Sequence, residues 1–576
     1  MSSTDLTQTH LGKCILAGQG KIKADLVLKN IGLLDVITGK VTETDIAIIG
    51  DRIVGTHDSY AGETEIDCTG KFAVPGFIDT HLHIESSLVT PLEFDRCVLP
   101  HGVTTVLCDP HEIANVLGAE GIKYFLDSAE QTVMDVRVNL SSCVPATAFE
   151  TAGARLEIED LLPFRSHEKV VGLAEMMNYP GVLNLDPGIM VKLEAFQDGH
   201  IDGHAPLVRG TALNGYMAAG IRTDHEATSA EEAREKLAKG MAILIREGSV
   251  SKDLEALAEI LDENSSSFVA LCTDDRNPLD IGEEGHLDSL VRRLIGHLKA
   301  RNCPIHHAYR AASHSAARIF GLRDRGLIGP GWRADIAILS DLENCDVVDV
   351  IAGGRLVTDD LFAKRKTIAP VGLSSMKATP VTAEAFACDP KPGQNQTPVI
   401  KVKPGLILTF RDEATLEIGD NGLKPDLDND VIKVAVVERH GINGNIGRSF
   451  VRGFGLKRGA IASSVGHDSH NITVVGASDA DMAAAVNRLI EMGGGFAVAN
   501  DGEVTAELPL PVAGLMSLEP FEVVEKDLIK LRAAAKDLGC VLPEPFLQVA
   551  FLALPVIPHL KMTDRGLFDV DKFDFV

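Results

Sequence analysis

The stretch that decides the fold is Val74-Pro-Gly-Phe-Ile-Asp-Thr-His-Leu-His-Ile-Glu85. It begins as an apolar run typical of a strand, turns at Pro75-Gly76 and ends in two histidines one residue apart. Residues i and i+2 of a strand point to the same face, so His81 and His83 direct two imidazoles to one place. Paired imidazoles suit a metal ion of borderline softness. The alternative interpretation is a pair of ordinary core or surface histidines.

The composition is that of a soluble protein with several folding units. The chain has 576 residues and a formal net charge of -27, and ~150 residues per domain predicts three or four units. The negative charge makes nucleic acid and anionic membrane surfaces poor partners, and no uncharged apolar run reaches the ~18 residues of a membrane span. The ten cysteines lack a Cys-x-x-Cys pair, and the polar start at Met1–Asp5 lacks a signal pattern. We therefore expect a cytoplasmic protein.

Two β-rich segments lie on either side of the central part of the chain. Residues 24–30, 45–50 and 52–55 precede it, and residues 334–340 and 347–357 of similar composition follow it. Apolar runs punctuated by Gly and Asp are typical of short strands. We expect residues 1–74 and 326–378 to form one small β-sandwich domain.

Between these flanks, apolar strand candidates alternate with helical stretches. The eight candidates are residues 77–79, 103–108, 136–140, 170–174, 199–203, 220–223, 241–245 and 268–272. Residues 230–239 are a good example of the intervening helix formers. This alternation predicts an α/β fold with a parallel sheet, and eight units over roughly 250 residues match a (β/α)8 TIM-type barrel, here residues 75–325.

Polar residues follow the predicted strands at the ends where a barrel has its active site. They are His81, His83, Glu85, Asp109, His111, Glu112, Glu175, His204, Asp224, His225, Glu226, Arg246 and Asp274. Any one of them alone is explained by a solvated loop. Their common position at strand ends indicates a ring of metal-binding and catalytic groups.

Residues 379–576 predict a C-terminal α+β domain. It follows a linker at residues 389–398 and contains a strand near residue 431 and helices at residues 480–492 and 519–538, the first opened by Ser478. Its run of potentially reactive polar residues is His467-Asp-Ser-His-Asn471. This run is either a polar turn between strands or a segment that covers the barrel mouth and contacts the substrate.

Several runs together resemble the adenine deaminase family of the amidohydrolase superfamily. They are His81-Leu-His-Ile-Glu-Ser-Ser, Cys108-Asp-Pro-His-Glu, Asp202-Gly-His-Ala-Pro, Thr223-Asp-His-Glu-Ala-Thr, Ile245-Arg-Glu-Gly-Ser, Gly444-Asn-Ile-Gly, Ser464-Val-Gly-His-Asp-Ser-His-Asn and Glu507-Leu-Pro-Leu-Pro. The resemblance covers nearly the whole chain. It implies hydrolytic deamination of adenine to hypoxanthine and ammonia, in purine salvage, by a metal-activated hydroxide that attacks C6.

The resemblance also implies a centre of two divalent metal ions. His81, His83 and Asp274 would hold one ion, His204 and His225 the other, and Glu175 would bridge them. Neutral imidazoles and carboxylates suit manganese, which we expect, or iron or zinc.

The resemblance assigns further roles around that centre. Asp274 would move protons, and Glu175 and Glu85 would share in catalysis. His111, Glu112, Arg246, His467 and His470 would contact the substrate. For His111 and Glu112, helix capping is the alternative. We further expect a homodimer.

Two other functions are consistent with much of the sequence. One is another amidohydrolase reaction, on a cyclic amide or an N-acyl substrate. The other is a non-enzymatic relative of the barrel hydrolases, against which the complete ligand set argues.

Overall fold

The computed structural model describes residues 7–390, 395–419 and 422–576. The polar start at Met1–Asp5 and residues 391–394 of the predicted linker therefore lie outside the described residues. The end of that linker, from Gln396, is a strand rather than a loop.

The chain opens with a helix and five strands of the first flank. The helix is α1 (His10–Gly18), and the strands are β1 (Ala24–Leu34), β2 (Val41–Ile49), β3 (Arg52–Gly55), β4 (Gly62–Asp67) and β5 (Phe72–Pro75). Strand β1 pairs with β2 along one edge and with both β4 and β5 along the other.

The eight predicted central strands all occur. They are β6 (Phe77–Leu82), β7 (Val103–Cys108), β8 (Asp135–Leu140), β9 (Val170–Met176), β10 (His200–Gly203), β11 (Thr223–Asp224), β12 (Ala242–Arg246) and β13 (Val269–Cys272). Neighbours in the chain pair in parallel, in one sheet from β6 to β10 and a second from β11 to β13. The apolar runs are buried on both faces, as parallel strands covered by helices require.

The two parallel sheets meet at both of their edges. Asp274, after β13, donates its backbone N–H to the His81 carbonyl of β6 at 3.0 Å, and His83 donates to the Asp274 carbonyl at 3.3 Å. At the other edge, Arg222 donates to the Ile201 carbonyl of β10 at 3.3 Å. The carboxyl ends of all eight strands therefore lie close to one another, and we call this assembly the parallel core.

Helices connect the strands of the parallel core. They are α2 (Pro91–Val98), α3 (His111–Leu117), α4 (Ala119–Ala129), α5 (Ile158–Leu161), α6 (Tyr179–Leu183), α7 (Pro187–Ala195), α8 (Gly210–Ala218), α9 (Ala230–Ala238), α10 (Leu254–Leu257), α11 (Pro278–Glu284), α12 (Leu287–Ala300), α13 (His306–Arg310) and α14 (Ala316–Ile319). The predicted helix at 230–239 is confirmed as α9. Its cap residue Ser229 accepts the Glu232 N–H at 3.3 Å, and acidic residues in its first turn favour the positive end of the helix dipole.

The second flank returns to the first sheet. It contributes β14 (Ile336–Asp341), β15 (Asp346–Ala352) and β16 (Arg355–Leu356), followed by α15 (Asp359–Ala363). Strand β14 pairs with β5, so both flanks form a single sheet, as predicted from their composition. The described flank strands make one continuous sheet of eight, and their packing as a β-sandwich stays a prediction. The long strand β1 pairs with strands at both of its ends and keeps the sheet undivided.

The C-terminal region combines a large sheet with three helices. The strands are β17 (Gln396–Lys401), β18 (Phe410–Thr415), β19 (Ile418–Gly419), β20 (Gly422–Leu423), β21 (Val431–Val437), β22 (Ile446–Arg452), β23 (Ala460–Ser463), β24 (Ile472–Gly476), β25 (Gly495–Asn500), β26 (Glu503–Pro509), β27 (Leu560–Thr563), β28 (Gly566–Asp569) and β29 (Asp574–Phe575). The helices are α16 (Asp479–Met492), α17 (Phe521–Asp537) and α18 (Pro545–Ala550). Helix α16 packs Met482, Val486 and Leu489 against the sheet, and Ser478 caps it as predicted.

Residues 467–471, which we call the His467 turn, connect β23 to β24. All five of its side chains are buried. Polar side chains are buried only where partners satisfy them, so the turn must meet polar groups of another part of the molecule. Along the described ranges, no helix is long and apolar enough to cross a membrane.

Candidate metal centre

Three strand ends bring the two predicted pairs of histidines together. His81 lies on β6 and His83 comes directly after it, His204 follows β10 and His225 follows β11. The rings of His81 and His225 stack with their centroids 3.9 Å apart, although the two residues lie in different sheets. The side chains alternate along β6 and into His83, so the imidazoles of His81 and His83 are directed toward one point, as the sequence predicted.

Glu175 lies between the two pairs and offers one carboxylate oxygen to each. Its Oε1 is 3.7 Å from His81 Nε2 and 3.4 Å from His83 Nε2. Its Oε2 is 2.6 Å from His204 Nδ1 and 3.4 Å from His225 Nε2. Burial opposes the charge on Glu175, yet the neighbouring imidazoles hold the pKa of its carboxyl well below the ordinary value. A charged carboxylate in this position has the geometry of a bridge.

Asp274 completes the His81 side of the centre. Its Oδ1 is 3.8 Å from His81 Nε2 and 3.3 Å from His83 Nε2. Its Oδ2 accepts a hydrogen bond from Arg246 Nη1 at 3.0 Å. Burial opposes ionisation, but His83 and Arg246 keep the pKa of Asp274 well below its usual range. One oxygen thus faces the imidazoles while the other is held by a guanidinium.

Backbone and carboxylate acceptors orient the imidazoles from behind. His81 Nδ1 lies 3.0 Å from Asp202 Oδ2, and His83 Nδ1 lies 3.0 Å from the Asp109 carbonyl. Although burial raises it, contacts with His200 and His81 bring the pKa of Asp202 below its ordinary value. An acceptor at Nδ1 places the proton there and leaves Nε2 free as a ligand.

Two observations indicate that these residues can hold metal: the chemistry of their side chains, and a buried imidazole nitrogen that has no hydrogen-bond partner among the described residues. His81 Nε2 is buried and has no hydrogen-bond partner among the described residues. It faces carboxylate oxygens of Glu175 and Asp274 instead. Groups such as His81, His83 and Asp274, or His81, Glu175 and His225, bring their ligand atoms within 4.8 Å of one another. Buried imidazoles facing carboxylates are the donor set that first-row divalent metals take.

A cavity opens beside the metal centre. Its polar wall comes from the parallel core and includes His83, His111, Glu175, His204, His225 and Asp274. The C-terminal region supplies an apolar wall, which we call the roof and which consists of Ile407, Phe551, Leu554 and Ile557. Sites for small molecules combine apolar contact surface with placed polar groups, and here a largely polar wall faces an apolar one.

The His467 turn reaches this cavity. His467 and Asp468 line it, and Asp468 Oδ1 lies 3.6 Å from His111 Nε2. Behind them, Glu112 contacts His467 Nδ1 with one oxygen and lies 2.5 Å from His470 Nε2 with the other. The sequence left two interpretations of this turn, a polar connection between strands or a cover over the mouth of the core. In the structure the turn lies at the cavity beside the metal centre.

Two other predicted site residues, Glu85 and Arg246, contact protein groups in or near the cavity wall. Glu85 lies outside the wall that the described residues form around the cavity, and it accepts the Ile113 N–H at 3.0 Å. Burial raises the pKa of Glu85 to about 7. Arg246 borders the cavity, but its guanidinium binds three carboxylates, those of Glu226, Asp253 and Asp274. Those contacts leave the Arg246 guanidinium engaged with protein and not with a ligand.

The sequence pointed to neither Asp202 nor the roof as part of the site. Asp202 stands two residues before His204 at the same strand end, so the strand period would have placed both on one side. The roof residues are ordinary apolar residues far along the chain, and their sequence has no feature that marks them as part of a site.

Comparison with known proteins gives matches along the whole chain. Residues 72–357 match the amidohydrolase family, and residues 406–574 match the adenine deaminase C-terminal domain. Adenine deaminase of Brucella anthropi is 63% identical over 566 residues, which cover 98% of this chain and 100% of that protein. Adenine deaminase 1 of Rhizobium meliloti is 64% identical over 563 residues, covering 98% and 99%. Among solved structures, a beta-aspartyl dipeptidase of Fervidobacterium islandicum aligns over 60% of this chain and 99% of its own, with 17% identity and a TM-score of 0.45.

Proposed function

The chain belongs to the adenine deaminase family of the amidohydrolases, and from this premise we propose that it hydrolyses adenine to hypoxanthine and ammonia. The observation that carries the proposal is the relation to adenine deaminases over nearly the full length of both chains. A match confined to the parallel core would leave open which C–N bond is cleaved. The match to the C-terminal domain of adenine deaminases supports adenine as the substrate.

We propose that the parallel core closes into a (β/α)8 barrel at residues 75–325. The backbone hydrogen bonds at both edges of the two parallel sheets support closure. The flanks at 1–74 and 326–378 would form a second domain, and residues 379–576 a third. A barrel explains why every candidate ligand lies at a strand's carboxyl end.

Two divalent cations are proposed to bind between the strand ends. His81, His83 and Asp274 would hold one and His204 and His225 the other, with Glu175 shared. Support comes from the two Glu175 oxygens, each of which faces a different pair of imidazoles. Cations bound there would supply a water of lowered pKa as the nucleophile. Manganese is proposed as the resident ion, since imidazole and carboxylate ligands suit it.

Asp274 is proposed to carry protons during the reaction. Water adds its oxygen to C6 of adenine, the bond from C6 to the exocyclic nitrogen breaks, and that nitrogen leaves as ammonia. One proton of the water must reach the departing amine. Asp274 lies on the cavity wall with Oδ1 toward the imidazoles, while Arg246 holds Oδ2. We propose Arg246 as a positioning residue for Asp274, and Glu85 as a support for helix α3 through Ile113.

The apolar roof of the cavity suits the face of an aromatic base. The roof of Ile407, Phe551, Leu554 and Ile557 would cover one face of the purine and exclude water, which strengthens the polar contacts to the reacting groups. His111, Glu112 and the His467 turn would border the edge of the ring. Exclusion of water requires the C-terminal region, so we propose that it is part of the active site.

Further aspects of the function are proposed on narrower support. All ten cysteines are free thiols, as in the reducing cytoplasm, where deamination of adenine would serve purine salvage. A homodimer is proposed because Leu183, Leu185 and Val191 expose apolar side chains on neighbouring segments of the core surface.

The test is release of ammonia from adenine by the purified, manganese-loaded protein. Cyclic amides and N-acyl amino acids serve as competing substrates, and the Asp274→Asn protein, prepared in parallel, controls for contaminating enzymes. We expect ammonia and hypoxanthine from adenine in equal amounts, and loss of activity after chelation that added metal restores. Turnover of a cyclic amide without turnover of adenine would contradict the proposal.

A further inference from the structure

Glu112 is a buried carboxylate between two histidines of the His467 turn. Its side chain is 1% exposed, and it comes from α3 of the parallel core, whereas both histidines come from the C-terminal region. His470 Nδ1 accepts the Gly466 N–H at 3.2 Å, so that nitrogen carries no proton. The proton of His470 is therefore on Nε2, which faces Glu112 Oε2 at 2.5 Å. His470 is fixed as a neutral ring.

His467 has the opposite arrangement. Its Nδ1 contacts Oε1 of Glu112, which as a carboxylate can only accept, so Nδ1 carries a proton. Its Nε2 is buried and has no hydrogen-bond partner in the described part of the chain. Burial opposes a second proton, but Glu112, Asp275 and Asp468 outweigh it and raise the pKa of His467 to about 9. The ring is therefore an imidazolium whose Nε2–H is left without an acceptor.

The ring of His467 is also held in place. It stacks on Phe551 of the roof, with centroids 4.5 Å apart and an angle of 18° between the planes. His467 lines the same cavity as His83 and Asp274. A buried donor without a partner costs ~1–3 kcal/mol, and more when it is charged. An acceptor on the ligand would remove that cost.

We propose that His467 donates a hydrogen bond from Nε2 to a ring nitrogen of the purine, N3 or N7. The inference rests on the proposed function and adds to it a specificity contact made by the C-terminal region. N3 and N7 keep their lone pairs in both adenine and hypoxanthine, whereas N1 gains a proton during the reaction. A donor to N3 or N7 would therefore orient the base throughout turnover and reject rings that have carbon at that position.

The experiment compares adenine with 3-deazaadenine and 7-deazaadenine in four proteins. Wild type is set beside His467→Gln, whose amide nitrogen replaces Nε2, and His467→Asn, whose amide replaces only Nδ1. His470→Gln is the matched control, since it alters the other histidine on Glu112. For each protein kcat/KM is measured for the three bases, with dissociation constants by calorimetry and metal content.

We expect wild type and His467→Gln to discriminate against one of the two analogues, and His467→Asn to lose about 10- to 100-fold of that discrimination, the range for a hydrogen bond from a charged group. For each base, dividing the kcat/KM of a variant by that of wild type cancels the intrinsic reactivity of the base. His470→Gln, which disturbs Glu112 from its other side, should keep the wild-type ratios of kcat/KM between the three bases. An unchanged pattern of discrimination in His467→Asn at full metal content would overturn the inference.

The experiment tests the proposed reaction and the proposed His467 contact separately. If wild type binds the bases with the expected contrast but releases no ammonia from adenine, the proposed reaction is wrong and the contact stands. If adenine is deaminated and all four proteins discriminate alike, the contact is wrong and the reaction stands. Should His467→Asn be unstable, the dissociation constants of wild type decide: weaker binding of one deaza analogue than of adenine supports the contact, and equal binding of all three bases contradicts it.

Discussion

His81 Nδ1 lies 3.0 Å from Oδ2 of Asp202, and both side chains are buried. The contact spans the parallel core, because His81 belongs to β6 and Asp202 to β10, the two outer strands of one sheet. It fixes the proton of His81 on Nδ1 and leaves Nε2 to face Glu175 and Asp274. Partners of this kind orient a metal-binding imidazole and raise its basicity.

Removing the charge of Asp202 should weaken metal binding without removing a ligand. For Asp202→Asn we expect a metal affinity lower by about 10- to 100-fold, measured by calorimetric titration of the metal-free protein. Excess metal should restore most of the activity. The same substitution at exposed Asp198, 78% accessible in its side chain, is the control. Wild-type affinity in Asp202→Asn would show that the contact does not support the ligand.

Each half of the proposed centre should be separable by mutation. His81→Ala and His204→Ala each remove an imidazole from a different side of Glu175. We expect metal content to fall below two ions per chain and turnover to be lost, while the circular dichroism spectrum is kept. Metal analysis of the purified proteins makes the comparison, with His10→Ala at the exposed start of the chain as control. Full activity in either variant would show that the replaced histidine is not a ligand of the catalytic metal.

Asp274 should be needed for chemistry more than for metal binding. Asp274→Asn keeps the size of the side chain and one oxygen but cannot take up a proton at the pH of the reaction. We expect kcat lower by on the order of 10²-fold or more, the scale of general acid–base catalysis, with most metal retained. Stopped-flow single-turnover measurements locate the loss in the chemical step. A variant that loses its metal and regains full kcat on adding metal would make Asp274 a ligand alone.

The strands and imidazoles were predictable because the signals are local. Apolar runs predicted the eight strands, and the period of two placed His81 and His83 on one face. The roof could not be predicted, since Phe551 reaches the cavity only through packing of the C-terminal region, and nothing in its neighbours along the chain distinguishes it from a core residue. The composition of the flanks indicated that they share a sheet, but the pairing of β14 with β5 could not be predicted, because these strands lie far apart in the chain. Tertiary partners of this kind have no local pattern.

A stability prediction concerns the end of the core opposite the site. Asp135, the first residue of β8, binds Arg325 at 2.6 Å, Lys169 at 2.6 Å and Arg137 at 2.7 Å. Burial opposes its charge, but these three cations hold its pKa well below the usual range. Asp135→Asn leaves buried Arg325 poorly compensated, and we expect a loss of about 3 kcal/mol in the free energy of unfolding.

Urea titrations of both proteins measure this difference, while kcat at low temperature should be unaffected because the site lies at the other strand ends. The stabilisation by Asp135 is present above the ordinary carboxyl pKa of ~4 and is lost as the pH falls toward its lower folded value. The gap between wild type and Asp135→Asn should therefore narrow in acid. A gap that is constant down to the acid transition would contradict the charge-based explanation.

The last prediction concerns a lysine that braces the roof. Lys561 is fully buried and donates to the carbonyls of Phe551 at 2.8 Å and Ile407 at 3.1 Å. Burial lowers its pKa to about 7, whereas an unfolded lysine titrates near ~10.4. Between these values the unfolded chain holds a proton that the folded chain lacks, so stability rises with pH by up to about 1.4 kcal/mol per pH unit. Lys561→Met should lack this contribution. The test is to measure the free energy of unfolding at pH 7.5 and 8.5, with the exposed Lys572→Met variant as control. Equal pH slopes in wild type and Lys561→Met would mean that Lys561 stays charged between its two carbonyls.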